Sequence, residues 1–235
     1  MSSRRITTGS TNPPTLAITI TFGGKKSRVR PNPQELEYAP RSFMFADIVD
    51  STKHNKSDSG RKLVNDSKNK MMGLVQNSPD ITFVKSVGDL HITFAEQPWP
   101  LFKMAGDYMK TAASGAVAHV RFGIHHGSSI MTPTNMISYH TSEMIPARDF
   151  SGPALDGASR MESMVAYKGG GVALTPEAHA LLPGPVQPKL DPVTLAELLK
   201  AAGDCISTQA KLHGISENPN YTMYRGYPYG KYFTM

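Results

Sequence analysis

One cysteine, Cys205, is all the thiol chemistry that 235 residues carry. It has no intramolecular disulfide partner and forms no CxxC pair, which excludes a disulfide scaffold and a structural zinc ribbon. Long hydrophobic runs are missing too: no stretch reaches the ~18 consecutive apolar residues that a membrane-spanning helix needs. The opening "MSSRRITTGSTNPP" lacks the apolar segment of a secretory signal, so the expected location is cytoplasmic. Acidic residues are fewer than basic ones, 19 against 25, and the net charge of +6 suits a polyanionic ligand: DNA, RNA, an acidic membrane or a nucleoside triphosphate. Much of that excess sits in Arg4, Arg5 and the cluster "KKSRVR", Lys25 to Arg30. No aromatic residues interleave these basic ones for stacking, so the cluster reads as a solvated tail and nucleic acid is not the expected partner.

What is present divides into three zones. Residues 1–40 form a Ser-, Thr-, Pro- and Gly-rich basic leader whose alternating "LAITITF" predicts an edge strand. Its "GGKKS" lacks the spacing of a phosphate-binding P-loop. Residues 41–178 alternate strand and helix signals. "SFMFADIV" is a strand followed by a helix that Ser51 or Thr52 caps; "ITFVKS" and "LHITF" form a hairpin about the turn Val87-Gly88-Asp89. A helix through "PLFKMAGDYMKTAASGA" precedes the strand "AHVRFGIHHG", which ends at glycine. "GPALDGASRMESMVAY" is helical, with Leu155, Ala158, Met161 and Val165 on one stripe, and "GGVALT" is the last core strand. Such an order predicts an α+β fold with an antiparallel-centred sheet and helices packed on one side of it. Residues 179–235 form an extension with one helix at "DPVTLAELLKAAG", capped by Asp191, and a Tyr-rich tail.

Two carboxylates stand where an apolar strand should exclude them. Asp47 interrupts "FMFADIV", and Asp89 occupies the hairpin turn. Burying an unpaired carboxylate costs several kcal/mol, on the order of what a small domain can spare, so Asp47 must be paired, exposed at a strand end or bound to a cation. If its strand lies beside the hairpin, the two carboxylates converge, and oxygen-only ligands select hard ions such as Mg²⁺ or Mn²⁺. Asp50 is expected to cap the next helix, whose first amides suit phosphate. Lys85 breaks the alternation four residues before Asp89, and Asp156 and Arg160 are one helical turn apart.

The motifs "FADIVDST", "KSVGD", "VRFGIHHG" and "DFSGPALDGASRME", in that order, resemble the class III nucleotidyl cyclases, the catalytic family of adenylate and guanylate cyclases. The resemblance implies a ferredoxin-like βαββαβ domain working as a head-to-tail homodimer in which a lone subunit is inert. It implies that Asp47 and Asp89 bind two Mn²⁺ or Mg²⁺ ions, with Ile48 adding its backbone carbonyl. Lys85 and Asp149 would read the base, and Arg160 would contact the phosphates in the transition state. Asp156 stands where the family usually has asparagine, which removes an N–H donor at the ribose and adds charge near a triphosphate. The absence of an anchor or receptor segment resembles the pyrimidine cyclases of bacterial anti-phage systems, whose cyclic CMP or cyclic UMP activates a separate effector. An adenylate cyclase, a catalytically dead nucleotide-binding module and a nucleic-acid-binding protein are the alternatives.

Overall fold

Two strands precede the segments that the sequence marks as core. β1 (Thr19–Phe22) and β2 (Lys25–Arg28) pair antiparallel, with Thr19 opposite Arg28 and Phe22 opposite Lys25. The alternating segment is a strand, as expected. Its partner is the first part of the basic cluster.

The computed structural model describes residues 19–22, 25–28, 36–137, 144–164, 170–187, 190–202, 216–218 and 220–226. They divide into two units: Met1–Ala39 with Ile130–Phe150, and Pro40–Ser129 with Ser151–Met235.

After β2 the chain forms β3 (Glu37–Ile48), α1 (Ser51–His54), α2 (Asp58–Gln76), β4 (Thr82–Val87), β5 (Leu90–Ala95), α3 (Pro98–Ala113), β6 (Val120–Ile137) and β7 (Met144–Ser151). There follow α4 (Pro153–Met164), β8 (Gly171–Leu174), α5 (Pro176–Ala180), β9 (Asp191–Thr194), α6 (Leu195–Ala202) and β10 (Thr222–Gly226). The run β3-α2-β4-β5-α3-β6 is the expected βαββαβ unit. Its strands lie in the order β4-β5-β3-β6, continued by β8-β10-β9, with β7 paired to β6. β3 and β5 are antiparallel, whereas β6 and β8 are parallel.

Alternation along the strands assigns the two sheet faces. Met44, Ala46 and Ile48 of β3, Phe122 and Ile124 of β6, and Val172 and Leu174 of β8 share one core with Val64, Met71 and Val75 of α2 and Leu101, Phe102, Ala105 and Tyr108 of α3. Ala173, between two members of that core, instead packs with Met161 and Met164 of α4, Leu195 and Met223. The sheet is therefore covered on both faces and not on one as expected, because α4 packs opposite α2 and α3, and all of β8 is buried, as a parallel strand between two layers should be. Tyr108 anchors the α2–α3 side: its hydroxyl donates to the Ala118 carbonyl at 2.9 Å, and burial pushes its phenol up to about 12.

Several local expectations are corrected. The helix after β3 is interrupted: α1 is a single turn, and α2 starts at its own cap, Ser57, whose hydroxyl accepts from Gly60 N at 3.1 Å. Asp50 occupies the N-cap position of α1 but makes no side-chain cap bond, and its backbone is left-handed at φ 55°. β6 does not stop at Gly127 but runs on to Ile137. The helix expected from Asp191 starts at Leu195, because Thr194 and Glu197 form a capping box: Glu197 N donates to Thr194 Oγ1 at 3.2 Å and Thr194 N to Glu197 Oε2 at 2.7 Å. In α4 the buried positions are Ala154, Ala158, Met161 and Met164, with Leu155 half-buried; Val165 lies outside the described residues. The extension returns to the main sheet as β9 and β10, so Tyr224 belongs to a strand, while residues 227–235 and Cys205 lie outside the described residues.

Candidate active site

Asp47 is the last odd-numbered residue of β3, and alternation puts it on the sheet face that α4 covers, opposite Met44, Ala46 and Ile48. Its partner across the antiparallel ladder is Leu90, the first residue of β5. Asp89 directly precedes Leu90 in the two-residue turn that closes the β4–β5 hairpin, where Gly88 has φ 67°. Directly opposed Cα atoms are about 5 Å apart and neighbouring ones about 3.8 Å, so the two aspartate Cα atoms lie within about 9 Å at one sheet end. The register sets Asp47 and the Asp89 turn at the same sheet end.

Lys85 reaches that face through an irregularity. Phe83 pairs with Thr93, yet Lys85 pairs with Ile92, so Val84 is an extra residue in β4. Without that bulge the alternation would put Lys85 beside His91 on the α2–α3 side. With it, Lys85 stands opposite Ile92, which itself faces Phe45 on the Asp47 side.

Helix α4 is seated on the same face by glycines. A Cβ on Gly123 would lie 1.9 Å from Glu162 N and 2.4 Å from Ala158 O, and one on Gly157 would lie 2.3 Å from the His125 ring. Only glycine permits this backbone contact between β6 and α4. The close approach brings Glu162 to Arg121, which sits two residues before Gly123 on the same face. Arg121 Nη2 donates to Asp47 Oδ2, and its Nε lies 3.0 Å from Glu162 Oε1. The latter contact lies off the N–H direction, so it is an ion pair and not a hydrogen bond. Asp47 is thus paired, one of the three outcomes its position allowed. The sequence reading missed both Arg121 and Glu162; a charge between Val120 and Phe122 was the same signal that marked Asp47.

On α4, Asp156 is exposed and Arg160 is half-buried. Ile48 buries its side chain in the core, which leaves its backbone carbonyl as its only oxygen for a ligand. Asp149 lies on β7 in the other unit, exposed, with its Oδ1 accepting from Phe150 N at 3.0 Å. Among the described residues no group of three or more His, Cys, Asp or Glu could hold a metal ion by itself. Two aspartates and a carbonyl at one sheet end are hard oxygen donors, however. Such a set fits a Mg²⁺ or Mn²⁺ ion that fills its shell with water and substrate phosphate.

Three histidines in this unit are held below the usual imidazole range. Burial is the main cause for each; Lys68 adds to it at His91 and is opposed there by Asp89, Glu177 opposes it at His125, and Glu96 opposes it at His126. His125 Nδ1 lies 2.8 Å from Thr175 Oγ1 and His126 Nδ1 lies 2.9 Å from Ser42 Oγ, partners that serve a neutral ring. The unfolded chain takes up these protons first, so the stabilisation is complete above the ordinary value of 6.5 and is lost as the pH falls below it. The melting midpoint is expected to hold from pH 7.5 to about 6.5 and to decline from there to pH 5.5; a flat profile below 6.5 in scanning calorimetry would show that the rings are not held neutral.

Residues 34–199 match the model of the adenylate and guanylate cyclase catalytic domain. No curated protein matches the chain. Among solved structures, the fold is similar to the catalytic core of a rhodopsin-guanylyl cyclase with converted specificity in complex with ATPαS, at 17% identity and TM-score 0.54 over 83% of this chain and 98% of that one. It is also similar to the guanylate cyclase domain of RhGC from Catenaria anguillulae in complex with GTP, at 16% identity and TM-score 0.52 over 79% and 94%. The adenylyl cyclase CyaB from P. aeruginosa gives 19% identity and TM-score 0.50 over 68% and 86%.

Proposed function

Because the chain belongs to the adenylate and guanylate cyclase catalytic-domain family, we propose that it converts a nucleoside triphosphate into its 3′,5′-cyclic monophosphate and pyrophosphate, with Asp47, Asp89, Lys85, Asp156 and Arg160 as its working residues. The observation that carries the assignment is the register. Asp47 stands opposite Leu90, which follows the Asp89 turn, Lys85 stands opposite Ile92 on the same sheet face, and α4, which carries Asp156 and Arg160, packs on that face.

In the proposed reaction O3′ forms a bond to the α-phosphorus as the bond from that phosphorus to the β-bridging oxygen breaks. Pyrophosphate leaves, and the 3′ hydroxyl proton passes to solvent. Divalent ions held by Asp47, Asp89 and the Ile48 carbonyl would supply charge neutralisation at the attacking and leaving oxygens. Arg160 stabilises the charge that builds on the α-phosphoryl oxygens, where a fixed guanidinium needs no reorganisation. Lys85 donates to an acceptor on the base, and Asp149 accepts from a donor on it. Adenine, cytosine and uracil each offer that combination. We carry forward a pyrimidine, uridine or cytidine, with adenosine as the alternative, and a diffusible product that acts on a separate effector. The working form is a head-to-tail homodimer with two equivalent sites, each taking its metal-binding residues from one subunit and its base-reading residues from the other. Among the described residues no helix is long and apolar enough to cross a membrane.

The test is incubation of the purified dimer with each of the four triphosphates and Mn²⁺, reading cyclic product by mass spectrometry. Formation from one base assigns the substrate; no product from any of them sinks the enzyme reading. A second reading, a module that binds nucleotide without turning it over, rests on Asp156. Replacing it with asparagine restores the N–H donor and removes a charge from an exposed helical position where neither change disturbs packing. Asp156→Asn is expected to raise kcat about tenfold, the scale of one recovered hydrogen bond to a charged transition state. Unchanged silence in both proteins would favour the binding module.

A further inference from the structure

Arg121 takes up at Asp47 the place of a cation. Its Nη2 donates to Asp47 Oδ2 while its Nε lies 3.0 Å from Glu162 Oε1, the three side chains being 33%, 19% and 12% exposed respectively. One guanidinium thus stands between two shielded carboxylates. It is hydrogen-bonded to the first and within reach of the second, whose contact is close but misaligned.

We infer that Arg121 is a built-in counter-ion that holds Asp47 until a divalent metal arrives, and that Glu162 is a positioning residue that receives the guanidinium when the metal displaces it. The inference rests on the assignment of Asp47 as a metal ligand. Its physical basis is competition followed by capture. A guanidinium and a divalent cation on the same carboxylate repel each other at short range, more strongly where water is partly excluded. A displaced Arg121 would otherwise sit shielded beside a metal with no anion of its own, which is costly. Glu162 removes that cost because α4 is already seated close: a Cβ on Gly123 would come within 1.9 Å of Glu162 N, so no side chain separates β6 from this turn of the helix. The metal side of the site and the helix bearing Arg160 are thereby linked through one charge that both share.

The experiment is titration of the nucleotide-free protein with Mn²⁺, counting free ion by electron paramagnetic resonance. Arg121→Gln should bind Mn²⁺ about fivefold or more tightly than the native protein, the lower end of a typical coupling between two sites. Glu162→Gln should bind it more weakly by a similar factor, since Arg121 then has only Asp47 to hold. The double variant should match Arg121→Gln, because Glu162 acts only by receiving the arginine. Of the three charges it leaves only Asp47, the one that Mn²⁺ itself neutralises, and so carries the test if Arg121→Gln alone fails to fold. A double variant midway between the singles would mean that the two charges simply add, and would overturn the hand-over; so would an Arg121→Gln protein with native affinity. Asp47→Asn separates the two claims. If it leaves Mn²⁺ binding unaltered, the metal assignment itself is lost; if it abolishes binding while Arg121→Gln changes nothing, only the hand-over is.

Discussion

Asp47→Asn is expected to lower cyclic-nucleotide formation by roughly a thousandfold, about 4 kcal/mol at 1.4 kcal/mol per decade, while the protein still melts within a few degrees of the native midpoint. The two halves of that expectation have different origins. Activity falls because an amide oxygen is a far poorer ligand for a hard divalent ion than a carboxylate oxygen. The fold survives because asparagine keeps the shape and an oxygen for Arg121 Nη2, and because Arg121 retains Glu162 at 3.0 Å. Asp47 is also only partly shielded, at 19% side-chain exposure, so water replaces some of what the charge supplied. The measurements are initial rates with the preferred triphosphate and a calorimetric midpoint for each protein. Activity within tenfold of native would mean that Asp47 is a structural partner of Arg121 and nothing more.

Gly123→Ala, a change of one methyl group, is expected to cost about 3 kcal/mol or more and to lower the melting midpoint by roughly 10 °C. The added Cβ would meet backbone atoms, Glu162 N and Ala158 O, which cannot rotate out of its way as a side-chain tip could. Relief requires α4 to lift from β6. Met161 and Met164 are buried against Ala173, so that movement also opens apolar packing. Since α4 carries Asp156 and Arg160, turnover should fall about 100-fold even in molecules that remain folded, the usual consequence of a displacement near 1 Å. A protein with native stability and rate would show that the β6–α4 approach is looser than described.

The two effects mark out what a sequence discloses. The βαββαβ order was legible because each strand carries an apolar run and each helix a stripe at helical spacing, and those patterns reflect the cores that form. Asp47, Asp89 and Lys85 were legible as charges out of place, and Asp156 and Arg160 as a pair at one-turn spacing. What escaped depends on contacts between distant segments. Arg121 and Glu162 look like an isolated strand charge and a helix-surface charge, and only the packing of α4 on Gly123 makes them partners. The capping box at Thr194 displaced a helix start that Asp191 and Pro192 had suggested, since Thr194 and Glu197 satisfy each other's amides as Asp191 does not. The separate one-turn α1 was hidden because Gly60, which lets α2 begin against the His54 carbonyl, resembles any other glycine in a polar segment.

The extra residue in β4 bears on how such chains are recognised from their genes. Lys-x-x-Gly-Asp is a pattern of letters, and it records nothing about which side of the ribbon the lysine leaves from. That information lies in the ladder, in whether Val84 bulges out or takes its own partner on β5. A homologue whose ladder ran straight through Val84 and closed on a three-residue turn would keep every letter of the motif, yet it would turn Lys85 toward α2 and α3, and a text search would count it as intact. The phase of the strand, not the spelling of the motif, is the trait on which selection for base recognition would act.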